Sequence, residues 1–544
     1  MRRLNPGIYV HCVEGGSFVF LSILIRRLLS VLFLRSIHLY QESHCGFGAP
    51  WTTLVAFKDI ATRKRWYRSS AEIEFNLSHR ILPTKDGKSS LRYFDGATMM
   101  SYQIPEKTFE DVHCRQQTKP QDCREGSIQG EGLSSAFNAS SASAYNPVFE
   151  RHANHQVPIQ SMIVAGNDQN ELKSTSNQAR GASQSQDASA NALKAPLKWS
   201  DGVAPGLDMT MDLYEIIYSE ESPIQSVQIL DTYFGKTLVT DGKTQSSAHD
   251  EFVYHESLVH PAMFWSAYLN GGQGPTKSVF IGGGGELATA REVLKHSSVE
   301  RVVMVDIDGA VVEASKKYLP EWGGEAVLNH DKMEYIIGDV HEYLRKTKEQ
   351  FDVIIIDVSD PIEAGPAIAL YTQEFYMLVQ TVLKKHGVFV TQAGSADFVP
   401  HPHSSLTADQ GDETTCFSPI RNTLASVFDH AIPYSCPVAS FGEDWGFVLA
   451  FNGDKDAGRM LVDLPNDIVD RLVDEGIEAV PGVPDHKQRS VGVKRVLPDS
   501  KGSNALKHFD GVVHRRMFSL SKPLREMMKM DARVMTIDNP IYMY

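Results

Sequence analysis

The sequence predicts an α/β protein: a doubly wound parallel sheet, preceded by a small β-domain and followed by an extension. Three observations carry that reading. Short Val/Ile-rich runs alternate with helical segments from Lys277 to Thr391, the pattern of right-handed βαβ units. The runs are continuously apolar, as strands covered on both faces are. Successive runs close on acidic segments, namely Gly282-Gly-Gly-Gly-Glu286, Asp306-Ile-Asp308, Gly338-Asp339 and Asp357-Val-Ser-Asp360.

The elements follow in order. Residues 1–112 read as an N-terminal extension. Its apolar stretch Ser17–Leu34 carries Arg26 and Arg27 at the centre. Each costs about 2.5–3.5 kcal/mol on insertion scales, so no firm membrane span is expected. Residues 1–70 hold ten Lys/Arg against three Asp/Glu, and the segment 1–40 reads as organelle targeting, a membrane-surface helix or an unstructured leader. Leu91–Phe94 looks strand-like, and no chemistry is visible before residue 113. Residues 113–198 are rich in Ser, Gln, Asn and Ala and read as a disordered linker.

Residues 199–248 form the small β-domain, with strands at Val227–Leu230 and Thr237–Thr240 and a turn at Asp241–Gln245. The main domain spans 249–453. It starts with a helix at His249–Leu258, whose first turn holds Asp250 and Glu251, where negative charge is favoured. Strands are expected at Lys277–Ile281, Arg301–Val305, Tyr335–Ile337, Asp352–Ile356 and Gly387–Thr391. Helices are expected at Leu287–His296, 309–318, 340–348 and 372–384. Residues 454–544 form a C-terminal extension.

Charge divides the chain unevenly. Residues 1–198 hold 23 basic against 17 acidic side chains, and residues 199–544 hold 30 against 50, for a total of −14. This balance argues against nucleic-acid binding and favours cationic substrates. The six cysteines form no C-x-x-C pair, so a reducing, cytoplasmic setting is expected and no zinc site. The sequon at Asn138 is then without consequence. His401-Pro-His403 reads as a Pro-rich loop rather than a metal pair, and no metal is expected.

Glu286, Asp306, Asp339 and Asp357 converge on the strand ends, where open α/β sheets bind ligands. Asp306 lies 21 residues beyond Gly285, the spacing at which an acid takes a ribose hydroxyl. The loop is neither G-x-G-x-x-G nor a P-loop. Glu286 at a helix start would repel a pyrophosphate and welcome a sulfonium or ammonium. Two classes fit: a methyltransferase, and an aminopropyltransferase using decarboxylated S-adenosylmethionine. The acid lining suits the second better, because its donor keeps the ammonium but has no carboxylate.

At these residues the sequence resembles the spermidine/spermine synthases. The likeness runs from about 199 to 451 and includes Tyr233–Glu256, Gly282–Glu286, Asp306-Ile-Asp308, Gly338-Asp339 and Asp357–Pro361. Tyr254-His-Glu256, Asp360–Pro366, Thr391–Gly394 and Ser440–Gly446 are most similar to plant-type thermospermine synthases, as is the tail around Phe509–His514, Met517–Lys522 and Val534–Pro540.

The resemblance implies a Rossmann-like, methyltransferase-type sheet and a homodimer or larger assembly. Asp357 would be the base and Tyr254 would orient the amine, while Asp360 holds the acceptor. Gly283, Gly284, Gly285 and Glu286 would receive the donor, with Glu286 on its aminopropyl group. Asp306 would take the ribose, and Asp339 with Val340 the adenine. Gln225, Gln245 and His255 would be further donor-side contacts. Glu443 and Asp444 are candidate acids for the far end of the amine groove.

Two departures stand out. Leu287-Ala288 replace small residues of the loop, a change expected to shift adenosine packing. Ser440-Phe441 replace an amine-contacting Tyr, which points away from putrescine and toward spermidine as acceptor. The implied products are thermospermine and methylthioadenosine. The alternatives are spermidine or spermine synthesis, and methyl transfer. The nucleophile must be neutral. With a pKa near 10.4, about one amine in 2,500 is neutral at pH 7, a cost of roughly 4.6 kcal/mol. A positioned carboxylate offsets part of it.

Overall fold

The computed structural model describes residues 2–5, 8–13, 36–42, 51–57, 70–102 apart from 88, 107, 197–204, 207–269, 276–396 apart from 364, 415–486, 493 and 495–543. Ser17–Leu34, Asn138, His401–His403 and the linker up to 196 lie outside them. The described residues of 1–57 are strands: β1 (Arg2–Asn5), β2 (Ile8–Val13), β3 (Ser36–Glu42) and β4 (Trp51–Phe57). They form an antiparallel sheet in the order β1-β2-β4-β3.

Helices α1 (Ser70–Arg80) and α2 (Gly96–Tyr102) follow. Leu91–Phe94 is not a strand. Its polar partners come from the far end of the chain: the Lys522 ammonium donates to the Leu91 carbonyl at 2.7 Å, and Arg525 pairs with Asp95. With those groups engaged, the segment has no neighbouring strand to pair with.

The small β-domain is a five-stranded antiparallel sheet in sequential order. It comprises β5 (Leu197–Ala204), β6 (Leu207–Glu221), β7 (Ser226–Thr232), β8 (Gly235–Thr240) and β9 (Lys243–Ser247). The sheet therefore starts two residues inside the segment expected to be linker. The expected five-residue turn is only Asp241-Gly242, both at positive φ (49° and 74°). Such a pair closes a two-residue hairpin whose twist matches its strands. Thr240 then pairs with Lys243, and Gln245 reaches the crevice from a strand.

The main sheet has the order β12-β11-β10-β13-β14-β16-β15. Strands β10 (Ser278–Gly283), β11 (Arg301–Asp306), β12 (Met333–Ile337), β13 (Phe351–Asp357) and β14 (Leu383–Ser395) are parallel. Strand β16 (Glu443–Phe451) is antiparallel both to β14 and to the edge strand β15 (His430–Val438), so the sheet is mixed rather than wholly parallel. A hairpin needs only a short connection and can close an edge where a crossover helix is not available.

Helices cover both faces: α3 (Glu251–Leu269), α4 (Ala288–Leu294), α5 (Gly309–Tyr318), α6 (Val340–Lys346), α7 (Gln373–Val382) and α8 (Phe417–Ala425). Helix α3 runs eleven residues beyond its expected end and is buried along most of its length, as a helix apolar all round must be. In the C-terminal extension, α9 (Asn466–Gly476) and α10 (Gly511–Met517) send Val469, Val473, Val513 and Met517 into the core under α3. Leu524 and Met528 of α11 (Lys522–Met530) enter the core on the other face.

Candidate active site

The strand order reverses between β10 and β13, the place where doubly wound sheets open a crevice. There Gly283 pairs in register with Asp357. Gly283 has φ 83°, and a Cβ on it would stand 2.1 Å from the Asp357 carbonyl oxygen. Only glycine lets the two backbones approach so closely. Leu287 closes the turn at φ 77°. Its side chain is wholly buried in the core and does not face the crevice, so the shift expected in adenosine packing has no contact behind it.

The crevice is a cavity partly open to solvent. Asp357 stands in its wall. The Tyr254 hydroxyl donates to Asp357 Oδ1 at 2.7 Å, and Thr289 Oγ1 donates to Oδ2 at 2.5 Å. Burial raises the Asp357 carboxyl, and the nearby Glu286 raises it further. His255 and the two hydroxyls restrain the rise, leaving it at about 6. Burial, then Asp357, push the Tyr254 phenol well above its ordinary range, so it remains a neutral donor.

Glu286 lines the cavity and receives His255 Nε2 at 2.7 Å. Burial alone would depress His255. Hydrogen bonds to Glu251 and Glu286 outweigh it and lift the ring to about 10. His255 is thus a cation behind the wall. It stands behind Glu286 rather than in the cavity lining, so it bears on the donor side through that carboxylate. Atoms of His255, Glu286 and Asp357 lie within 4.8 Å of one another. A histidine held as a cation by two carboxylates has no lone pair for a metal, so the cluster suits a cationic ligand better than a metal ion.

Asp306 is 9% exposed and accepts the Asp308 N–H at 2.8 Å. Burial, with Glu286 and Asp308 nearby, lifts it to about 7 despite that bond. Asp308 caps α5 through Ala310 N–H at 3.0 Å. It also receives Ser222 Oγ at 2.8 Å and Gln225 Nε2 at 3.1 Å, fastening the β-domain over the crevice. Gln225 and Gln245 both line the cavity. Asp339 caps α6 through Glu342 N–H at 2.7 Å while also lining the cavity with Val340.

Beyond Asp357, burial holds Asp360 at about 6 against the opposing effects of Gln392 and Lys243. Gln392 donates to its Oδ1 at 3.1 Å. Ser395, three residues on along β14, donates to Glu443. Phe441 and Trp445 pack edge to face at 4.7 Å beside Glu443 and line the same end. Ser440 turns away and bonds Asp250 through its N–H (2.7 Å) and hydroxyl (2.8 Å).

The expectation for Asp444 is corrected. Successive strand residues face opposite sides, and Asp444 borders a separate small cavity with Tyr93 and Arg516. Thr289, Gln392 and Lys243 were not anticipated. The quoted segment Thr391–Gly394 ends a strand beside Asp360, which was a usable signal for Gln392. For Thr289 and Lys243 the sequence carries none.

A family profile described as "Spermine/spermidine synthase domain" matches residues 251–450. A polyamine aminopropyltransferase of Aeropyrum pernix is 37% identical over 352 residues, covering 64% of this chain and 96% of that protein. The Arabidopsis thaliana thermospermine synthase ACAULIS5 is 37% identical over 281 residues, covering 51% of this chain and 75% of its own. A crystal structure of spermidine synthase with the transition-state analogue AdoDATO is 27% identical with a TM-score of 0.47, covering 63% of this chain and 99% of that one.

Proposed function

The chain belongs to the spermine/spermidine synthase family and is an aminopropyltransferase, and from that premise we propose that it moves the aminopropyl group of decarboxylated S-adenosylmethionine to spermidine, giving thermospermine and methylthioadenosine. One observation carries the acceptor class. Two further carboxylates, Asp360 and Glu443, line the cavity beyond Asp357 and are held from β14 by Gln392 and Ser395. Spermidine retains two ammonium groups when one nitrogen attacks, one for each carboxylate. Putrescine retains one. Phe441 and Trp445 offer apolar walls for the methylenes. The likeness to the Arabidopsis enzyme supports attack by the nitrogen at the aminopropyl end, which distinguishes thermospermine from spermine.

The acceptor enters as an ammonium. Asp357 takes its proton, and a carboxyl near 6 is well matched to that task at neutral pH. The freed lone pair attacks the propyl carbon bound to sulfur. The C–S bond breaks, its electron pair returns to sulfur, and neutral methylthioadenosine leaves. Tyr254 and Thr289 fix the base. Glu286 and Asp306 are placed to hold the donor's ammonium and ribose, with Asp339 and Val340 at the adenine. The protein's main contribution is orientation within an acidic, partly desolvated groove.

The test is incubation with decarboxylated S-adenosylmethionine and either putrescine or spermidine, with products separated by chromatography and weighed. Thermospermine from spermidine is expected. Spermidine from putrescine, or spermine, would overturn the acceptor assignment. Methyl transfer from S-adenosylmethionine without aminopropyl transfer would overturn the donor.

A further inference from the structure

The polar line behind Glu286 does not stop at His255. Nδ1 of His255 lies 2.7 Å from the Glu251 carbonyl and 3.1 Å from its carboxylate. That carboxylate is wholly buried and takes two Arg291 N–H groups at 3.1 and 2.7 Å. Its remaining partner is His486 Nε2 at 2.8 Å. His486 belongs to the C-terminal extension and is itself buried, with its ring edge-on to Trp322 at 4.8 Å. His486, Glu251, His255 and Glu286 therefore form one continuous line from the extension to the cavity wall. A carboxylate has about four acceptor positions. Arg291, His255 and His486 fill those of Glu251 and leave it one orientation.

We propose that His486 is a positioning residue for aminopropyl transfer: it completes the grip on Glu251 that holds His255, hydrogen-bonded at both nitrogens, against Glu286 and beside Asp357. The proposal rests on the reaction assigned above. The groups facing His255 are Glu251 and Tyr254 on its own helix, Glu286 from the loop after β10, and Asp357 from β13. Arg291 of α4 and His486 act on it through Glu251. A fixed cation close to both side chains offsets the upward pull of Glu286 on the Asp357 carboxyl. Without His486, Glu251 can turn, His255 loses a fixed partner, and the pair of acids is less well balanced.

The experiment uses the full chain. His486→Phe keeps a ring against Trp322 but no donor, and His486→Gln returns an N–H near the same place. The Phe variant is expected to lose about tenfold in kcat/KM for the donor. The acid limb of its pH profile should move upward by roughly half a unit to one unit. The Gln variant should recover most of both. An independent readout is ¹⁵N-histidine NMR of the protein without substrates, with His255 identified through His255→Gln. Its ring should remain an imidazolium at pH 8 in the parent and become neutral in the Phe variant.

If the Phe variant does not fold, His486→Asn, whose amide is too short to reach Glu251, should show the same displacements. An unchanged acid limb together with an unchanged His255 signal overturns the proposal, whatever the variant's Tm. A parent protein that binds its substrates but transfers no aminopropyl group overturns the reaction instead, and the NMR arm still decides the relay.

Discussion

At the residue scale the proposed reaction requires Asp357 to be free of its proton when the amine arrives. Asp357→Asn keeps the shape and the Tyr254 contact but cannot accept a proton. It should lose on the order of 10²–10⁴ in kcat while binding methylthioadenosine nearly as well, by calorimetry, as the parent. Retained turnover would remove Asp357 from the role of base. The same group sets a pH limit. Its carboxyl is raised to about 6, so kcat/KM should rise with pH through that region as it ionises. A pH–rate profile flat from 5 to 7 contradicts this. The acids were legible in the sequence because each ends a strand, and strand ends of a doubly wound sheet share one crevice. Thr289 was not, because a neutral polar residue inside a helix carries no such mark. Asp444 was misassigned beside Glu443 because adjacency along a strand means opposite faces. His255 read as a donor contact, yet its cationic state depends on Glu251 and, through it, on His486, more than two hundred residues away.

At the element scale, helix α3 is the support on which the site is mounted, and the extension grips it. Glu256, two residues beyond Tyr254, accepts the N–H groups of Lys507, His508 and Phe509 at 2.7, 2.8 and 2.7 Å. Lys107 holds the same loop from the other side, donating to the carbonyls of Ser503 and Leu506 at 2.9 and 3.0 Å. A residue from the region that showed no chemistry in sequence is therefore part of the enzyme's framework. Glu256→Ala leaves three buried N–H groups without their acceptor and should cost about 3–5 kcal/mol of unfolding free energy. Lys107→Ala removes a partly exposed donor and should cost about 1 kcal/mol. Denaturant melts of the two variants check the order, and equal losses would mean that the clamp is not asymmetric. Interior strands such as β10, β11 and β13 were legible to within two residues because covering on both faces makes them continuously apolar. Strand β6 was not, because its exposed face interrupts that signal. The β15–β16 hairpin was missed because no α-helix separates its two strands, and alternation was the evidence used.

At the scale of the whole molecule, the acid excess of residues 199–544 carries a stability cost as well as a function. Asp306, Asp357 and Asp360 sit at about 7, 6 and 6 against an ordinary 3.8. For each, the folded state keeps protons that the unfolded state has already released. Stability from these groups therefore falls as pH rises from about 4 to about 7, and above that the full penalty remains. Glu251 and Glu292 work in the opposite sense. They bear the penalty of burial, but Arg291 and Lys295 draw them well below 4.5, so their contribution is lost only in acid. The contribution of these five groups is therefore greatest at mildly acidic pH and smaller at pH 8. A bound polyamine would supply the missing counter-charge, so spermidine should raise Tm more at pH 8 than at pH 5.5. Asp360→Asn separates the two roles. It removes one buried charge without changing size, and should raise the Tm of the free protein at pH 8 by on the order of 2 °C while leaving it unchanged at pH 4. It should also weaken spermidine binding, because asparagine cannot pair with an ammonium. Thermal melts of parent and variant across pH 4–8, with and without spermidine, measure both. A variant less stable than the parent at pH 8 would mean that Asp360 is held by contacts that favour its charge, and that the groove is not strained by its own acids.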